Sequence, residues 1–166
     1  LNEFRAHLPI VTHQDLLEPI TKIANGQKGV LTTDTVIQLL ETSGTTGRPK
    51  LLPVTKPWVK SISQAQQLWT LALLQQHPSV ASGKALTIVS AEVDRFSDGG
   101  LPIGSNTGRM AGALPGWIRR SYFIPSFVRE IGDHDVRLYV TIRLALQENV
   151  TSWTTANPSM VLQVLN

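Results

Sequence analysis

Two β-strand-like runs are separated by a segment of glycine, hydroxyl and basic residues: Thr42-Ser43-Gly44-Thr45-Thr46-Gly47-Arg48-Pro49-Lys50. The run before it, Thr35 to Glu41, is β-branched and apolar. The run after it, Leu51-Leu52-Pro53-Val54-Thr55, reads as a returning strand, with Pro53 marking a sheet edge or a strand end. The segment is thus expected to link strand to strand, unlike the strand-to-helix loops of dinucleotide and NTPase folds. Its composition suits a polyphosphate: glycines let backbone N–H groups approach, hydroxyls donate hydrogen bonds and a lysine supplies charge. The spacing is not G-x-x-x-x-G-K-[ST], because Gly47 follows Gly44 by three residues and Leu51 follows Lys50.

The remainder alternates helix and strand. Leu16, Leu17, Ile20 and Ile23 share one helical face, Pro19 suits the first turn, and Asn25-Gly26 suits the C-terminal cap. A helix of about four turns is expected from Pro57, with Ile62, Ala65, Trp69 and Leu73 on its apolar face, ending at His77-Pro78. Lys84 to Ser90 reads as a buried strand. Residues 94–117, rich in Gly, Pro, Ser and Asn, read as one long loop. Val136 to Leu146 returns to helical periodicity, Val150 to Thr155 reads as a short strand, and Asn157-Pro158-Ser159 opens a last helix. The class is therefore α/β, without internal repeats or a domain linker.

Bulk properties narrow the function. With 166 residues, 42% hydrophobic and 16% charged, the chain can bury the core of one ordinary domain. Its formal charge of +3 comes from dispersed residues (Lys22, Lys50, Lys60, Lys84, Arg109, Arg143) with no basic stripe interleaved with aromatics, which argues against nucleic acid as a partner. A modest basic balance also suits a cleft for anionic small molecules. The absence of cysteine excludes disulfides, zinc-thiolate sites and a cysteine nucleophile. The longest nearly apolar stretch, Leu68 to Leu74, falls far short of the ~20 residues that span a bilayer, so no membrane partner is expected. The N-terminus lacks the shape of a signal peptide, and a cytoplasmic location is expected.

Several tempting residues have plainer readings. Asp133-His134-Asp135 reads as a solvated acidic turn rather than a metal site, since adjacent residues of a turn point apart. His7, His13 and His77 lack ligand spacing, Trp69, Trp117 and Trp153 read as core, and Arg119, Arg120 and Arg143 read as surface ion-pair partners. No G-x-S-x-G occurs, so a serine hydrolase lacks its nucleophile elbow.

The glycine loop resembles the phosphate-binding signature of adenylate-forming enzymes, which include acyl-CoA synthetases, luciferases and acyl acid amido synthetases. The flanking order narrows the resemblance: Leu8-Pro9-Ile10-Val11-Thr12, Ile20 to Gly26, Thr42 to Gly47 and Lys50-Leu51-Leu52-Pro53 look like the auxin-responsive-promoter family of acyl acid amido synthetases. So do Tyr122-Phe123-Ile124-Pro125, Arg143-Leu144-Ala145-Leu146 and Ala156-Asn157-Pro158-Ser159. The similarity covers nearly the whole chain and is weakest between about residues 56 and 120.

That resemblance implies a fold and a chemistry. Residues 1–166 would form part of the large N-terminal domain of an adenylate-forming enzyme, cut at both ends, because there is no initiating methionine and the final helix stops at Asn166. Such enzymes use ATP and Mg2+ to convert a small carboxylic acid to an acyl adenylate, then pass the acyl group to an amino acid. Their loop holds the ATP phosphates, a role carried over to Thr42, Ser43, Gly44, Thr45, Thr46, Gly47 and Lys50. No catalytic residue or metal ligand is assigned, the adenine, ribose and acceptor sites have no counterpart here, and this piece alone should be inactive. Two alternatives share the loop: an acyl- or aryl-CoA ligase with coenzyme A as acceptor, and a nucleotide-binding module without chemistry. The identity of the acid, the acceptor and the oligomeric state are not legible.

Overall fold

Asp15 closes a turn: the Thr12 N–H and Oγ1 both donate to its carboxylate, at 2.7 and 2.8 Å. The computed structural model describes residues 10–42, 49–114, 116–123, 126–155 and 159–165. In chain order these form α1 (Leu17–Ala24), β1 (Val36–Thr42), β2 (Lys50–Thr55), α2 (Lys56–Gln76), β3 (Lys84–Thr87), β4 (Arg95–Phe96) and β5 (Pro102–Gly104). There follow α3 (Asn106–Gly112), α4 (Gly116–Arg119), β6 (Tyr122–Phe123), α5 (His134–Ala145), β7 (Val150–Thr154) and α6 (Ser159–Leu165). The α/β class expected from the sequence holds. The chain divides into two units, residues 1–59 with 95–103, and residues 60–94 with 104–166.

In the first unit, α1 buries Ile20 and Ile23, three residues apart on one face, while Glu18 and Lys22 pair at 2.6 Å on the exposed side. Pro19 sits in the first turn, and the helix ends at Asn25 followed by Gly26 at φ 90°, a backbone conformation that glycine adopts without strain. A four-stranded sheet has the order β2-β1-β5-β4. β2 occupies an edge, the position in a sheet where a proline such as Pro53 is tolerated. Gln38, Leu39 and Leu40 are consecutive and all buried, so both faces of β1 are covered. Leu39 packs with Ile23 and Ile103, and Val30, Val36, Leu51 and Leu101 close around them.

β4 and β5 fall inside the stretch expected to be a long loop. They pair antiparallel through Arg95↔Ile103 and Phe96↔Pro102, joined by a turn in which Gly100 N–H donates to Ser97 O at 2.8 Å. Strands of two and three residues flanked by Ser, Asp and Gly carry too few apolar positions to declare themselves.

The second unit contains a three-stranded sheet, β6-β3-β7, in which β3 pairs parallel with both neighbours. α2 begins in the first unit's residues and runs for 21 residues, longer than expected, stopping at His77-Pro78 as expected. None of its residues is buried, and Trp69 is 57% exposed rather than core. Trp153 on β7 is half-buried; the Trp117 side chain lies outside the described residues, as does Asn157. α3, also within the expected loop, is capped by Ser105, whose Oγ accepts from the Gly108 N–H at 2.9 Å. Gly108 lies against the backbone of residues 90–92, where an added Cβ would sit 2.5 Å from the Ala91 carbonyl carbon. In α5, Asp133 is the N-cap, accepting from Val136 N–H at 2.9 Å, so the Asp-His-Asp run is a helix start.

Candidate functional site

The glycine loop follows β1 and precedes β2 in the chain. β1 and β2 run antiparallel from Val36↔Thr55 to Thr42↔Lys50, with one irregularity between Val36 and Gln38. Thr42 and Lys50, the first and last of the assigned site residues, are therefore direct register partners at the mouth of the hairpin, and both are half-buried. The strand-loop-strand placement expected from the sequence holds. Ser43, Gly44, Thr45, Thr46 and Gly47 lie outside the described residues. Buried Leu39 and Leu40 on β1 and Val54 on β2 anchor the two strands that carry the loop.

Immediately before the loop stands an ion pair that sequence reasoning missed. Arg95 of β4 forks onto Glu41 of β1: Nη1 donates to Oε2 at 3.0 Å and Nη2 donates to Oε1. β5 lies between these strands in the sheet, so the side chains bridge across it. The hydrogen bonds from Arg95 hold the Glu41 carboxyl below its ordinary pKa, against the smaller opposing effect of its own burial. The partners are 54 residues apart, and no local pattern links them.

Other charged groups lie elsewhere. Arg109 of α3 is buried; burial pushes its pKa down, and the charge of Glu92 opposes that. Its Nη2 donates to Asn106 Oδ1 at 3.1 Å. His134 meets Arg137 Nη2 at 3.5 Å, and among the described residues no group of three or more His, Cys, Asp or Glu could hold a metal ion. A cavity of about 280 Å3 in the first unit is lined by Ile23, Val30, Val36, Leu101 and the turn residues between them, not by Thr42 or Lys50.

A family model described as the GH3 family N-terminal domain matches residues 1–166. The chain belongs to the GH3 family. Its resemblance to acyl acid amido synthetases, drawn above from residue patterns, is thereby borne out at the level of the family. Over 106 residues this GH3 chain is 33% identical to the jasmonoyl-L-amino acid synthetase JAR4 of Nicotiana attenuata, covering 63% of this chain and 18% of that protein. Over 101 residues it is 31% identical to the indole-3-acetic acid-amido synthetase GH3.6 of Arabidopsis thaliana, covering 60% of this chain and 16% of that protein. Among solved structures, the acyl acid amido synthetase AtGH3.15 in complex with 2,4-DB superposes with a TM-score of 0.77 at 24% identity. That superposition takes in 99% of this GH3 chain and 29% of the AtGH3.15 chain, and it establishes a shared fold. The GH3 chain thus spans less than a third of the length of these relatives.

Proposed function

We propose that the protein to which this chain belongs is an acyl acid amido synthetase. It activates a small carboxylic acid with ATP as an acyl adenylate, releasing pyrophosphate, and then joins the acyl group to an amino acid. One observation carries the reading: in a GH3-family domain, an antiparallel pair closes with Thr42 opposite Lys50 around a loop whose composition suits a polyphosphate. Thr42, Ser43, Gly44, Thr45, Thr46, Gly47 and Lys50 are the residues proposed to hold the ATP phosphates.

The chemistry asks for such a loop. A carboxylate attacking the α-phosphate brings two anions together, and negative charge accumulates on the phosphate oxygens. Preorganised N–H and O–H donors meet such a charge without the cost of reorienting solvent. Lys50, a half-buried residue at the start of β2, would add a positive charge next to the anion. Mg2+ travels with the nucleotide in this reading, neutralising phosphate charge.

The test uses the complete protein with ATP and Mg2+, a pool of carboxylic acids including indole-3-acetic acid, a pool of amino acids, and coenzyme A. An amide product identified by mass spectrometry supports the proposal and names both substrates. A thioester would transfer the protein to the CoA-ligase alternative, and no AMP release would leave a binding module. Losing one preorganised donor at a developing charge costs about 3 kcal/mol, roughly a hundredfold in rate. Thr45→Ala or Thr46→Ala is therefore expected to cut pyrophosphate release at least about tenfold; a folded variant with unchanged turnover would remove the loop from the mechanism.

A further inference from the structure

We propose that Arg95 and Glu41 form a positioning pair that fixes the root of the phosphate loop and thereby sets the affinity for ATP, an inference that rests on the ATP reading above. Glu41 is the penultimate residue of β1, one residue before Thr42. Successive strand residues point to opposite faces, so the fork grips β1 from the face opposite the Thr42 side chain. On this side of β1 the sheet is thin: β5 contributes three residues and β4 two. The fork adds two charge-assisted hydrogen bonds to β1 one residue before its last position.

The exposure of the pair separates geometry from stability. The side chains are 51% exposed for Arg95 and 24% for Glu41. An ion pair so open to water contributes little to global stability. What it does supply is direction, because a planar guanidinium on a carboxylate permits a narrow range of relative placements. A loop whose root is free to shift must be ordered by the nucleotide at the nucleotide's expense, which appears as weaker binding.

The experiment measures pyrophosphate release by the full-length protein against ATP and, separately, against the acid. The variants are Arg95→Ala, Glu41→Gln, the swapped pair Glu41→Arg with Arg95→Glu, and Thr45→Ala. Arg95→Ala and Glu41→Gln are each expected to raise KM for ATP about tenfold, leave KM for the acid within about twofold, and lower Tm by no more than about 4 °C. The swapped pair should recover most of the ATP affinity. Unchanged KM for ATP in the folded single variants overturns the proposal, and so does a swapped pair no better than either single variant. A large fall in Tm with KM unchanged would make the pair merely structural. Normal ATP dependence in Thr45→Ala would overturn the phosphate-loop reading and this inference with it. An impaired Thr45→Ala beside a normal Arg95→Ala overturns the clamp alone.

Discussion

The hydrogen bonds from Arg95 hold the folded-state pKa of Glu41 below the ordinary glutamate value. A carboxyl whose pKa is depressed by folding favours the folded state above its unfolded pKa, and that contribution is lost as pH falls through the folded value. Thermal melts should therefore show Glu41→Gln less stable than the parent at neutral pH, with the gap closing as pH drops below the ordinary carboxylate range. A gap independent of pH would mean that the glutamate acts by shape alone. Gly108 presents a different single-residue constraint, since its missing side chain lets α3 lie on the backbone of residues 90–92. Gly108→Ala is expected to cost about 1–3 kcal/mol through overpacking, measured as a shift in urea midpoint; a neutral variant would show that the contact relaxes. Neither role was legible in the sequence. A glycine pressed on backbone is indistinguishable by composition from one in a turn, and an ion pair 54 residues apart leaves no local trace.

Among the elements, β1, β2, α1, α5 and β7 were legible because each combines apolar periodicity with a recognisable stop. α1 has Ile20 and Ile23 on one face and Asn25-Gly26 at its end. β1 is a run of apolar and β-branched residues whose centre, Leu39, is completely buried. Leu39→Ala should cost about 2–5 kcal/mol, read by chemical denaturation, because it empties the place where α1, β1 and β5 meet. A loss well under 1 kcal/mol would show that the surrounding residues collapse into the space. β4, β5 and α3 were not legible. Their residues are drawn from the turn-forming set, and what makes them regular is pairing with distant chain or the Ser105 cap, not their own preferences. α2 erred in the other direction: its apolar spacing suggested a buried face, yet none of its residues is buried.

At the scale of the molecule, the α/β class and the strand-loop-strand placement of the site could both be anticipated, whereas the partition into two units could not. The first unit takes in residues 95–103 from far along the chain, and no linker composition marks that excursion. The candidate site was legible as a set of residue types, since small, hydroxylated and basic residues have few other reasons to gather between two strands. Its support was not, because the fork from Arg95 depends on β4 being two strands away from β1. The closure of the hairpin by Thr42 opposite Lys50 has a topological consequence. The strands on either side of the loop are held by each other and by buried Leu39 and Val54, not by the covalent link between them. The protein should therefore tolerate being made as two polypeptides divided inside the loop. The co-expressed halves are expected to copurify as one particle that has lost its grip on nucleotide, and halves that never associate would refute this. Chain continuity at that point would then serve ligand capture, while the architecture is kept by annealing of the two strands.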